Sequence, residues 1–364
     1  MRACDLRKRL KGKKYWVAQA ERARLAVGMQ IEQVDLADAT TIRACHEVYD
    51  AARGVDTPED TWLTARPFSG WLTIGWGGDP REVWAVPSED EGAVAGWYRL
   101  ELPDKENLDR AYLDLVVPPA ARRHGIGRAL LRHAAGRAAA HDRVILGSFA
   151  RAGSPGEAFA RAVGAEPSLV DIRRVIELGQ LPAGKLSRLR EEAERAAAGY
   201  SLVSWTGPVP DELIEQAAGL YNALNDAPRT ADSAPEVWDA QRVRERINAN
   251  QGRYGTQHYS IAAQHDADGE LAALTEIAVD PVSPSWGHQT ITAVTRKHRG
   301  HRLGLLVKIA MMDLLAAAEP QVEQIATWNT ESNQHMIAVN EALGYTILGQ
   351  PNTVYRVSAT SLLE

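Results

Sequence analysis

The run Arg122-Arg123-His124-Gly125-Ile126-Gly127 follows the apolar stretch Leu113-Asp114-Leu115-Val116-Val117 and opens a segment with a helical apolar period, Ile126, Leu130 and Ala134. A second run, Arg299-Gly300-His301-Arg302-Leu303-Gly304, has the same setting. It follows Thr290-Ile291-Thr292-Ala293-Val294 and leads into Leu303, Val307, Ala310 and Leu314. A strand that turns through glycines into a helix lets the backbone approach a bulky anion, and the unpaired N–H groups of the first helical turn face it. Gly127 and Gly304, the last glycines of the two runs, lie 177 residues apart. Upstream, Tyr49 and Asp56-Thr57-Pro58 are echoed by Tyr221 and Asp226-Ala227-Pro228 at offsets of 172 and 170. The chain reads as two copies of one anion-binding unit.

The whole chain agrees with two soluble domains. It has 364 residues, 45% of them apolar and 24% charged, which is enough for two hydrophobic cores. No stretch has the length of apolar sequence that spans a bilayer, and the N-terminus has no apolar signal core, so the expected location is cytoplasmic, with no membrane partner. A net charge of −6 excludes a general nucleic-acid binder, which needs a basic face. The basic segment from Arg2 to Lys14 reads as a solvated extension. Cys4 and Cys45 are the only cysteines, too few for a disulfide framework or a cysteine zinc site. The ten histidines are scattered without ligand spacing, and no metal is expected.

Hydrophobic periodicity and turn residues give the order of elements. Residues 1–26 form the extension and 27–178 a first domain. Residues 179–199 contain a connecting helix over Leu186 to Ala198, and 200–364 form a second domain. In the first, helices are expected at 39–52, 125–140 and 157–163, with strands at 82–86, 93–102, 111–117, 144–149 and 171–178. In the second, helices are expected at 211–224, 238–248, 304–318 and 333–343. Its strands fall at 258–264, 271–279, 289–294 and 324–328, and a closing hairpin over 345–357.

The pattern (Arg or Gln)-x-x-Gly-x-(Gly or Ala), placed between a strand and a helix, resembles the acyl-coenzyme A signature of the GNAT superfamily of N-acetyltransferases. The first run fits in full, and the second has Arg302 in place of the first glycine. The resemblance implies an α/β (α+β) chain of two tandem GNAT folds, each a mixed, mostly antiparallel sheet, splayed at its middle and flanked by helices. The layout is similar to that of mycothiol synthase. It also implies acetyl-CoA (coenzyme A) as the acyl donor and direct transfer to a primary amine of a small molecule, by a monomer or homodimer. The pyrophosphate would rest on Arg122, Arg123, His124, Gly125, Ile126, Gly127 and Arg128, and on Arg299, Gly300, His301, Arg302, Leu303, Gly304 and Leu305. The thioester carbonyl would meet backbone N–H groups of Leu115, Val116 and Val117, and of Thr292, Ala293 and Val294.

The halves differ after the next strand. The second has Asn329, Asn333, Asn340 and Leu343-Gly344-Tyr345, resembling the family's pantetheine-binding element; Asn333 also reads as an ordinary N-cap. The tyrosine that many members use to protonate the departing thiolate falls at Asn340, which can donate a hydrogen bond but no proton at neutral pH. A water then delivers the proton, or the thiolate leaves unassisted. In the first half Ala160 stands at that place, and its catalytic groups are missing. The candidate base is Glu276 in Leu274-Thr275-Glu276-Ile277, which reads equally as a carboxylate on the solvent side of an alternating strand. Asp226 reads as a turn former or as the holder of a cationic substrate amine, with Tyr221 beside it. The expectation is therefore a catalytic second domain and a first domain that binds coenzyme A structurally. A catalytically silent acyl-CoA sensor or scaffold is the alternative.

Overall fold

A computed structural model describes residues 29–60, 63–75, 78–90, 92–230, 232–248 and 254–364. The basic segment, Cys4 and the expected domain start at Val27 lie outside the described residues. The first half runs β1 (Glu32–Gln33), α1 (Ala39–Asp56), α2 (Ala65–Thr73), β2 (Arg81–Pro87), β3 (Val94–Glu101), β4 (Arg110–Val116), α3 (Ile126–Ala140), β5 (Ile145–Arg151), α4 (Pro155–Ala162) and β6 (Glu166–Glu177). Helix α5 (Lys185–Ala196) connects it to the second. There follow β7 (Tyr200–Thr206), α6 (Ile214–Ala223), α7 (Ala240–Arg242), β8 (Gln257–His265), β9 (Leu271–Val279), β10 (Trp286–Val294), α8 (Leu303–Ala318), β11 (Gln324–Thr330), α9 (Gln334–Leu343), β12 (Thr346–Ile347) and β13 (Asn352–Ser358). Among the described residues no helix is long and apolar enough to cross a membrane.

Local chemistry sets the helix ends. The Asp38 carboxylate accepts from the N–H groups of Thr40 and Thr41 at the start of α1. Ser154 and Pro155 start α4. Gly344 ends α9 at φ 112°, and a Cβ there would come within 3.0 Å of Leu181, so glycine is required on two counts. The helix expected at 238–248 is helical only to Arg242 and continues as a π-helix over Val243–Asn248. Helix α2 gave no periodic signal in the sequence reading.

The strands form one sheet in the order β1-β2-β3-β4-β5-β13-β6-β11-β10-β9-β8-β7, with β12 also on β6. The last strand of each half sits against the other half. Strand β13 is paired over its length with β5, and the C-terminal part of β6 with β11. The expected hairpin over 345–357 is thus corrected. β12 and β13 do not pair with each other; both are antiparallel to β6, and β13 fills the place between β5 and β6. The cores follow the exchange. Ile176 of β6 packs among Leu303, Val307, Ile309 and Leu343, and Val357 and Ala359 pack with Leu130, Ala134 and Leu146. Arg246 adds a polar tie between the halves, pairing with Asp79 at 2.6 Å and Asp104 at 2.5 Å.

Candidate active site

The two loops adopt one backbone shape by exchanged means. In the first, the second and fourth residues, Arg123 and Gly125, lie at φ 69° and 91°; in the second, Gly300 and Arg302 lie at 89° and 52°. Each loop therefore has one glycine and one arginine in the left-handed region, in opposite order. The Arg302 guanidinium pairs with Glu192 on α5, at 2.7 Å. Neither α3 nor α8 has a side chain capping its first turn, so both helix starts present uncapped N–H groups and a positive dipole end. A Cβ at Gly127 would touch Phe159 and one at Gly304 would touch Val294, each at 3.6 Å, so neither glycine is demanded by a clash.

The first arginine of each loop is a clamp. Arg122 donates to Val117 O and, through both terminal nitrogens at 2.7 Å, to the Asp56 carboxylate. Arg299 repeats this, donating to Val294 O at 3.3 Å and to Asp226 at 2.6 Å, and Arg296 binds the same carboxylate. This accounts for the repeated Asp-x-Pro. It also corrects the reading of Asp226 as the holder of a substrate amine: two guanidiniums neutralise it, and their hydrogen bonds hold its carboxyl below the usual range.

Between loop and sheet the strands separate. β4 pairs in parallel with β5 only over Arg110–Tyr112, and β10 with β11 only over Trp286–His288. Beyond those pairs Leu115 to Val117 and Thr292 to Val294 line one side of an opening in each half. Against β9 the register of β10 shifts between Gln289 and Ile291, a bulge at Thr290 that re-aims the side chains around it. β4 has no such shift against β3.

Successive residues of β9 face opposite sides of the sheet, and both sides of the second opening are polar. On the α6 side Glu276 accepts from Tyr221 Oη at 3.0 Å and Ser260 Oγ at 3.4 Å. Glu276 is 6% exposed, which corrects the solvent-facing reading, and burial raises its pKa to about 7. On the α8 side Thr275 Oγ1 lies 2.9 Å from Thr292 Oγ1 and accepts from Gln289 Nε2 at 2.6 Å. Gln289 Oε1 accepts from Tyr345 Oη at 3.3 Å. Lys308, 2% exposed, donates from Nζ to Asn340 Oδ1 at 2.5 Å and stands over the Tyr345 ring at 4.7 Å. Asn340 Nδ2 donates to Asn329 Oδ1 at 2.7 Å. Asn333 is not part of this network; its side chain caps α9 by accepting from Met336 N–H.

The first half keeps the geometry without these groups. At the offset of the loops, Arg99 stands for Glu276 and is tied to Asp114 at 2.7 Å, to Trp71 O at 2.8 Å and over the Trp71 ring. On the other side a cavity of about 100 Å³ is lined chiefly by Leu113, Leu131, Leu146, Phe159 and Val163. Leu131 is the counterpart of Lys308, and Ala160 of Asn340. Sequence reading missed Lys308 because it falls inside a helix whose other buried side chains are Leu, Val, Ile and Met. The available signal was a lysine on the apolar face.

Residues 44–162 match the acetyltransferase (GNAT) family. Among curated proteins none matches the sequence. Among solved structures the chain is similar to a tandem GNAT protein from the clavulanic acid biosynthesis pathway, at 28% identity and TM-score 0.74, covering 91% of this chain and 98% of that one. A GCN5-related N-acetyltransferase from Sphaerobacter thermophilus shares the fold at 15% identity and TM-score 0.60, covering 91% and 96%. With one loop, one splayed opening and one helix-flanked part of the sheet in each half, residues 44–162 carry a domain of the acetyltransferase (GNAT) family and the described residues form a tandem of GNAT folds.

Proposed function

We propose that the second half is an acetyl-CoA-dependent N-acetyltransferase acting by direct transfer on a primary amine of a small molecule, and that the first half holds coenzyme A without turning it over. The observation that carries this is the contrast between the openings. Glu276 lies on one face of the second and the Lys308–Asn340 network on the other, whereas the first has an arginine on one face and an apolar cavity on the other. Bound acetyl-CoA would supply the electrophilic acyl carbon and a thiol leaving group. Gly300 to Leu305 would hold its pyrophosphate on backbone N–H groups, and the N–H groups of Thr292 to Val294 would face the carbonyl oxygen. Glu276, with a pKa of about 7, is ionised enough at neutral pH to accept the amine proton.

The place of the similar tandem protein in the clavulanic acid pathway favours a small-molecule acceptor. Strand exchange within the chain joins both halves in one sheet, which supports a protein that works as a monomer or as a homodimer of intact protomers. The test is thiol release from acetyl-CoA across a panel of small primary amines. Turnover with at least one amine, lost in Glu276→Gln, is expected. No turnover with any of them, with acetyl-CoA bound, would favour a silent sensor.

A further inference from the structure

In the first half the place of Lys308 is taken by a leucine. Its counterpart Leu131 walls the first-half cavity, and a cation there is unfavourable unless a partner compensates it. Lys308 meets Asn340 on α9 and the Tyr345 ring, and beyond them the hydrogen bonds run to Asn329 on β11, Gln289 on β10 and Thr275 on β9. None carries a charge at neutral pH. An ammonium has three N–H donors. One is taken by Asn340, one face of the group lies on the Tyr345 ring, and the remaining donor capacity has no acceptor among the described residues. Asn340 is itself fixed, because its amide N–H donates to Asn329 and so turns its oxygen to the lysine. The chain Tyr345, Gln289, Thr292 then joins this corner to the bulged edge of β10, where the opening begins.

We propose that Lys308 is the general acid of the second half, its ammonium aimed by Asn340 at the sulfur of coenzyme A. The assignment rests on the reading of this half as the acetyl-CoA-dependent one. As the amine nitrogen bonds to the acyl carbon, the carbon–sulfur bond breaks, its electron pair stays on sulfur, and the sulfur takes a proton from Lys308. Glu276, on the opposite face, takes the proton the amine gives up. Exchange with water restores both groups, leaving an amide and a free thiol. Burial lowers the Lys308 pKa to about 7, so the group is substantially protonated at neutral pH and yields its proton readily.

The test uses the full chain, free coenzyme A and no acceptor. An ammonium beside a thiol favours the thiolate, so coenzyme A bound to the wild type should ionise at lower pH than in solution, followed by the ultraviolet absorbance of the thiolate. In Lys308→Met the bound thiol should titrate about 1 pH unit or more higher than in the wild type. The first-half site contributes equally to both chains, so the difference isolates the second. Lys308→Met should also resist urea at least as well as the wild type, since an apolar chain replaces a buried cation. Lys308→Gln, which keeps a donor to Asn340, serves as the second variant and should likewise lose the thiol shift. Two bound coenzymes with the same titration in wild type and variants would overturn the role of Lys308 alone. Coenzyme A bound only at the first loop would overturn the functional reading itself.

Discussion

Replacing Glu276 by glutamine should weaken catalysis and strengthen the fold, and the second effect has a defined pH dependence. Burial raises this carboxyl from 4.5 to about 7 in the folded chain. The folded state then binds its proton more tightly than the unfolded state, so stability is unaffected below about pH 4.5, falls as pH rises, and levels off above pH 7. A shift of about 2.5 units corresponds to about 3 kcal/mol. Glutamine keeps an oxygen for the Tyr221 hydroxyl and has no proton to lose. Urea unfolding should show Glu276→Gln and wild type within about 1 kcal/mol at pH 5 and the variant about 3 kcal/mol more stable at pH 8. Activity should move the other way. A positioned base contributes roughly 10²- to 10⁴-fold, and the ionised share of Glu276 is about a tenth at pH 6, half at pH 7 and nine tenths at pH 8. Equal stability at pH 8 would refute the buried carboxylate, and undiminished turnover would refute its role as base.

Other outcomes follow from the same geometry. Asp226→Asn should loosen the second loop and weaken coenzyme A binding in calorimetry, with the KM for the amine unchanged; a change confined to the amine KM would restore Asp226 as a substrate contact. Arg302→Gly should stabilise the chain by about 1 kcal/mol in urea, by relieving a left-handed arginine whose exposed pair with Glu192 contributes little. Gly304→Val should fold, because a Cβ there meets only Val294 at 3.6 Å, yet cost at least about tenfold in coenzyme A affinity by filling the loop. Segments 29–199 and 200–364 should fail to fold when expressed apart and assemble when expressed together, as read by circular dichroism and gel filtration. Each contributes a strand to the other's sheet, and an unpaired sheet edge aggregates.

The sequence made the repeat readable because glycine, apolar strand and apolar helix leave periodic marks, and β9 was read to the residue as Leu271–Val279. The strand exchange left no such mark. β13 pairs with β5 or with its own half using the same alternating residues, and only three dimensions decide between them. The Tyr49 and Asp56 echoes were visible as spacing. Their meaning needed the structure: Tyr221 holds Glu276, and the aspartates hold the loop arginines. Glu276 stood out as a charge in an apolar strand. Lys308 did not, since the helix was read for its apolar period alone and the lysine sits within that run between Val307 and Ile309.

The most direct test of the central claim, that acyl transfer belongs to the second half, is a crystal structure of the chain with acetyl-CoA. The account predicts pyrophosphate on Gly300 to Leu305, the thioester in the β10/β11 opening with its sulfur against Lys308 and Asn340, and its carbonyl carbon open toward the Glu276 face. Acetyl-CoA found only on Arg122 to Gly127, with the β10/β11 opening filled by its own side chains, would contradict it.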